Sequence, residues 1–245
     1  MLSLEGCFRR VQLDTPFVKR VGRTLVVTQG GQLGTALHSI YPYILPLPET
    51  RDELLAIAST LKADPQRDLR LGEMATKASV LQSDKSGELR KKKVLVFATH
   101  GLVPGDLPNL TQPALALATT GAEPQDPLAA LLMLDEVLAL KLNADWVVLS
   151  ACNTAAADGK VEEALSGLAR GFFYAGSRSL LVTHWAVESE SAKLLTTGTF
   201  EHYAQNLQAP KAESLRQAML KVMAMPQYAH PAFWAPYALV GDGGR

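Results

Sequence analysis

The chain has 245 residues, which at about 150 residues per domain suits one large domain or one domain with an appendage. Hydrophobic residues make up 47% and charged residues 20%, excluding wholesale disorder and a collagen-like architecture. Lys plus Arg and Asp plus Glu both number 24, so net charge is zero and no overall basic footprint marks a nucleic-acid partner.

Residues 1–23 carry scattered charges, Pro16 and no clear period. Thr24-Leu25-Val26-Val27-Thr28 reads as a short buried strand rich in β-branched residues. The turn Gln29-Gly30-Gly31-Gln32-Leu33-Gly34 has a faint likeness to a dinucleotide-binding loop. Pro42 and Pro46 stand where its helix should follow, so it is read as a plain turn. Pro46, Pro48 and Thr50 lead into a predicted helix over Arg51–Leu61, with Leu54, Leu55, Ile57, Ala58 and Leu61 as its apolar stripe. Leu69-Arg70-Leu71-Gly72 is predicted as a short strand and Met74–Leu81 as a helix. The run Arg90-Lys91-Lys92-Lys93 is read as a solvated approach to the next strand rather than a nucleic-acid or membrane patch.

That strand, Val94-Leu95-Val96-Phe97-Ala98, is continuously apolar, as a central parallel strand should be, and stops at Thr99-His100-Gly101. Five prolines between residues 102 and 127 predict loop, with Ala114–Leu117 as a short edge hairpin. A helix is predicted over Leu128–Leu142. A second buried strand, Trp146-Val147-Val148-Leu149-Ser150, runs into Ala151-Cys152-Asn153-Thr154. A helix over Glu162–Tyr174, closed by Gly176, leads to a third strand, Ser179–Thr183. Helices over Ser189–Gln205 and Lys211–Met223 and a final strand over Tyr237–Val240 complete the pattern. Strands alternating with helices predict an α/β fold with a parallel sheet covered on both faces.

Cys7 and Cys152 are too far apart in sequence to suggest a disulfide framework, and the five histidines show no metal-ligand spacing, so no metal and no cofactor are expected. No segment approaches 18 uninterrupted apolar residues, so no membrane span is expected. The start MLSLEGCFRR is too short and too charged to read as a secretory signal, making the cytoplasm the expected compartment.

In an open parallel sheet, sites form beyond the carboxyl ends of the strands. His100 and Cys152 each lie just past the end of a buried strand, 52 residues apart, which leaves room for one crossover. Gly101 has no side chain to keep a substrate away from its N–H, and Ser150 and Ala151 leave space around the thiol. A Cys and a His within reach can form a nucleophile and its base. A lone buried Cys is more often a small core residue, and a lone His after a strand is often a turn residue, so only the pair carries weight.

Phe97-Ala98-Thr99-His100-Gly101 and Leu149-Ser150-Ala151-Cys152-Asn153-Thr154 resemble the CHAT domain, a caspase-like family often attached to tetratricopeptide repeats. The likeness continues through Glu163–Gly176, through Ser179–Val187 with its His184-Trp185-Ala186-Val187, and through His230–Tyr237 with Val240-Gly241-Asp242. It is good over residues 44–245, expected to form the caspase-like domain. Residues 1–43 are expected to begin the same domain.

The resemblance implies a caspase-like three-layer sandwich with a mostly parallel central sheet and helices on both faces. It also implies a cysteine endopeptidase acting on a protein or peptide substrate. His100 would be the base, Cys152 the nucleophile, and the N–H groups of Gly101 and Cys152 the oxyanion hole. No third residue is nominated. The family often has an acidic pair after Trp-Pro-Val, where this sequence has Trp185-Ala186-Val187-Glu188-Ser189-Glu190. Asp158 and Glu188 are the candidates for an acidic specificity pocket that would favour a basic P1 residue. Trp185 and Trp234 are expected as structural anchors and His184 as a packed or capped strand-end residue. The competing reading is a latent or inactive interaction module that needs a tetratricopeptide-repeat region or another activating partner. A non-peptidase acyl hydrolase is weaker, and no Gly-x-Ser-x-Gly elbow supports a serine version.

Overall fold

The computed structural model describes residues 49–118, 128–150, 160–185, 187–206 and 208–244. In chain order the elements are α1 (Glu49–Thr60), α2 (Pro65–Asp68), α3 (Lys77–Lys85), β1 (Val94–Phe97), β2 (Gly101–Leu102), β3 (Ala114–Ala116) and β4 (Leu131–Met133). There follow α4 (Leu134–Ala139), β5 (Trp146–Leu149), α5 (Lys160–Ala175), β6 (Ser179–Thr183), α6 (Ser189–Gln205), α7 (Lys211–Met223) and β7 (Tyr237–Gly241). The strand expected at Thr24–Thr28 and the turn after it lie outside the described residues.

The larger sheet has the order β1-β5-β6-β7. β1, β5 and β6 are parallel, and β7 closes the far side antiparallel to β6, with Leu181 opposite Leu239. Period-2 alternation sends successive side chains to opposite faces. Leu95, Phe97, Val147, Leu149 and Leu180 meet Val80 of α3, Val137 of α4 and Leu168 and Phe172 of α5. Val94, Val96, Trp146, Val148 and Leu181 meet Ile57 of α1, Leu195 and Phe200 of α6, and Leu215 and Val222 of α7. The result is an α/β sandwich of three layers with a mostly parallel sheet in the middle. All four β5 residues are buried, because β5 faces a helical layer on each side. The outer side of β1 borders a groove of about 1250 Å3 among the described residues, between α1 and α3.

A second, antiparallel sheet, β2-β3-β4, sits beyond the end of β1. Its own small core contains Leu102, Leu107, Leu110, Ala114 and Leu131.

Three sequence-based expectations are corrected here. The helix expected over Leu128–Leu142 is a turn, then β4, then the shorter α4. Leu131 enters the small core while Leu132 enters the main one, a two-sided demand that extended backbone satisfies. The helix starts only after Glu136 accepts the N–H of Met133 at 2.9 Å. The expected edge hairpin at Ala114–Leu117 is instead β3, the central strand of the small sheet, with Ala114 and Leu115 fully buried. Leu69–Gly72 forms no strand among the described residues. Leu69 and Leu71 are extended, but Gly72, at φ +54°, turns the chain into a short 3-10 helix, Gly72–Met74. α3 then begins at Lys77, because the Thr76 side chain caps it by accepting the Ser79 N–H at 3.1 Å. The strands at β1, β5 and β6 and the helices α6 and α7 stand where the sequence pattern predicts them.

Two glycines let these layers close. Gly171 allows α4 onto α5, since a Cβ there would meet Leu134 Cδ1 at 2.7 Å. Gly176 ends α5 at φ +110°, and its Cβ would lie 2.5 Å from the Leu142 carbonyl oxygen. Gly176→Ala therefore meets both backbone strain and a backbone clash. It is expected to lower unfolding free energy by about 1–3 kcal/mol, read as a lower denaturant midpoint at unchanged slope.

Candidate active site

Phe97 of β1 and Leu149 of β5 are register partners, so the two parallel strands end level with one another. Neighbouring strands lie about 4.8 Å apart. His100 is three residues beyond Phe97, and Cys152 is three residues beyond Leu149 in sequence. Cys152 and Asp158 lie outside the described residues.

The backbone at His100 is held by both sheets. β1 leads into it, and its carbonyl accepts the Ala116 N–H of β3 at 2.9 Å. The Thr99 hydroxyl donates to the Ala116 carbonyl from the preceding position. The next residue, Gly101, is buried and pairs with Leu115. His100 itself is half-buried.

Under the end of β5 lies a carboxyl that the sequence reading passed over. Glu53 of α1 is only 3% exposed. Its Oε2 accepts the Ser150 hydroxyl at 3.2 Å and its Oε1 accepts the Thr196 hydroxyl of α6 at 2.8 Å. Burial pushes its pKa up from the ordinary 4.5, while the bonds from Thr196 and Ser150 pull it back in part. One signal was available in the sequence. Glu53 stands four residues before Ile57, on the face that buries.

Glu188 sits at the N-terminus of α6, where its carboxylate accepts the N–H groups of Glu190 at 3.0 Å and Ser191 at 2.8 Å. This is a helix cap, favoured by the positive end of the helix dipole. Trp185 and Trp234 each donate their indole N–H to a backbone carbonyl, of Ala232 and Ala229 respectively, as anchors should. Of the two forms expected for His184, packed or capped, packing does not hold: the residue is exposed, and its backbone N–H donates to the Pro236 carbonyl at 2.9 Å. Among the described residues no cluster of His, Cys, Asp and Glu could hold a metal ion, and no helix is long and apolar enough to cross a membrane.

A family model described as the CHAT domain matches residues 8–242. The chain belongs to the CHAT domain family. Two tetratricopeptide repeat relatives are also similar to it. Tetratricopeptide repeat protein 28 of mouse is 26% identical over 224 residues, covering 80% of this chain and 9% of that protein. The human protein of the same name is 30% identical over 116 residues, covering 46% of this chain and 4% of its own length. The chain thus spans less than a tenth of these relatives.

The raised pKa of Glu53 has a direct consequence for stability. A group whose folded-state pKa lies above its unfolded value contributes fully below the unfolded pKa and loses that contribution as pH rises through the folded value. The loss for Glu53 starts near pH 4.5 and grows upward. Glu53→Gln is neutral at every pH. The variant is expected to match wild type in thermal midpoint near pH 4, to gain on it as pH rises from about 4.5 through the raised folded-state value, and to hold that gain above it, as scanning calorimetry across that range would show.

Proposed function

We propose that this CHAT domain is a cysteine endopeptidase working through His100 and Cys152. The observation that supports this reading is the level register of Phe97 and Leu149, the last residues of two adjacent parallel strands, after which both residues follow at the same sequence spacing. His100 takes the Cys152 thiol proton, and the thiolate attacks the scissile carbonyl carbon of a protein or peptide substrate. The N–H groups of Gly101 and Cys152 donate to the oxyanion that forms. Collapse of the tetrahedral intermediate breaks the C–N bond, with His100 returning the proton to the leaving amine. Water, deprotonated by His100, then hydrolyses the acyl-thioester. An oxyanion donor of this kind contributes on the order of 3 kcal/mol to the transition state.

Asp158 and Glu188 supply the acidic side of the specificity pocket in this proposal, favouring Arg or Lys at P1. The capping role of Glu188 does not bar it, since each carboxylate oxygen that accepts one N–H retains a further lone pair. The cytoplasm is the proposed compartment.

A second reading, a latent interaction module, is favoured by the two relatives, both tetratricopeptide repeat proteins of which this domain is a small fraction. In that reading a repeat region or another protein partner sets the dyad geometry.

Peptidyl acyloxymethyl-ketone probes with Arg, Lys, Asp or Leu at P1 separate the two. Wild type is expected to label, and Cys152→Ala and His100→Ala to lose labelling. Wild type that labels with no probe, yet labels once a repeat-containing partner is added, indicates the latent module. Glu188→Gln is expected to slow labelling by the Arg probe about tenfold relative to the Leu probe, and equal slowing of both would remove Glu188 from the pocket.

A further inference from the structure

The parallel ladder that fixes β5 ends before the chain reaches the nucleophile. β5 pairs with β6 only at Val147 and Val148, and with β1 as far as Leu149. The next residue, Ser150, is buried, and its hydroxyl donates to Glu53 at 3.2 Å. Cys152 is two residues further on, a span of at most about 7 Å of extended chain.

We propose that Glu53 is a positioning residue for Cys152: it clamps Ser150 to α1 and α6, fixing where the chain leaves β5 and so where the nucleophile stands. Three elements meet at this carboxyl. α1 provides it, α6 braces it through Thr196, which is fully buried, and β5 delivers the strand end that it holds. Ile57, one turn further along α1, packs in the apolar cluster that includes Val148, Ala192 and Leu195. For packing alone an aliphatic side chain would serve there at lower desolvation cost. A carboxyl adds directionality, with one oxygen for each hydroxyl. A near-attack geometry tolerates little error, and a 1 Å misplacement from a remote change can cost about a hundredfold in rate.

This inference rests on the peptidase reading for its consequence in catalysis, but its test reads the thiol directly. The full chain carries Glu53→Asp, Ser150→Ala, both together, Glu53→Gln, or His100→Ala. Each is followed by the pH-dependent rate of Cys152 alkylation by iodoacetamide, by kcat and KM on a cleavable peptide, and by thermal midpoint. Asp keeps the charge but is one methylene too short to reach both hydroxyls. Glu53→Asp and Ser150→Ala are each expected to slow alkylation and lower kcat about tenfold at unchanged KM. The double variant should be no worse than either single, the non-additivity of partners in one contact. Gln, of full length and still offering an acceptor and a donor, should restore the rate.

Folded Glu53→Asp and Ser150→Ala proteins alkylated at the wild-type rate would overturn the proposal. So would lowered thermal midpoints with unchanged thiol kinetics, which is what a purely structural carboxyl produces. The peptidase reading fails by a different arm: wild type and His100→Ala alkylated alike, with no peptide cleaved. In that case amide hydrogen exchange at residues 150–152 decides the clamp: exchange is expected to speed up in Glu53→Asp and Ser150→Ala, and wild-type exchange in both would overturn it.

Discussion

Everything in this fold hangs on a strand of four buried residues. β5 runs between two parallel neighbours and under two layers of helices, so Trp146 and Val148 build one core while Val147 and Leu149 build the other. Trp146 is the largest of these, fully buried, with Phe200 and Tyr203 of α6 at ring-centroid distances of 5.3 and 5.5 Å. Such a strand cannot shift register by one residue without exchanging both sets of side chains between the cores. Its end is therefore a fixed point, and the segment containing Cys152 begins from it.

The active-site proposal gains from this rigidity at two places. His100 takes its place from the point where β1 passes into the small sheet, with Thr99 and the His100 carbonyl both bonded to Ala116. The path to Cys152 starts from Ser150 and its contact with Glu53. His100 is thus set by backbone pairing, while the strand end before the proposed nucleophile is held by a side-chain bond in a buried cluster. The two modes differ chemically, since backbone pairing leaves little to mutate, whereas the side-chain clamp depends on two particular residues.

Much of the main sheet was legible because its strands are short apolar runs and its helices carry their own signals. Ser189–Gln205 and Lys211–Met223 stand over the expected ranges, and the structure shows Glu188 capping the first and Pro210 preceding the second. The small sheet was not legible. β2, β3 and β4 are two or three residues long, and Leu131-Leu132-Met133 abuts a helical pattern from which local periodicity cannot part it. Only the demands of two separate cores make it a strand. His100 was legible from its position after a strand. Glu53 was not, because a glutamate on a helix ordinarily faces solvent, and the hydroxyls that hold it come from 97 and 143 residues away.

His100 belongs to two bodies at once. Its chain enters from the large sheet across the short connection Ala98–His100, and its carbonyl is bonded into the small sheet. Tilting the small sheet would therefore drag the imidazole with it, while Ser150 stays with the large sheet and the buried helices. In the proposed peptidase, any change in how the small sheet packs on the large one would therefore be felt at His100 before it reached the end of β5.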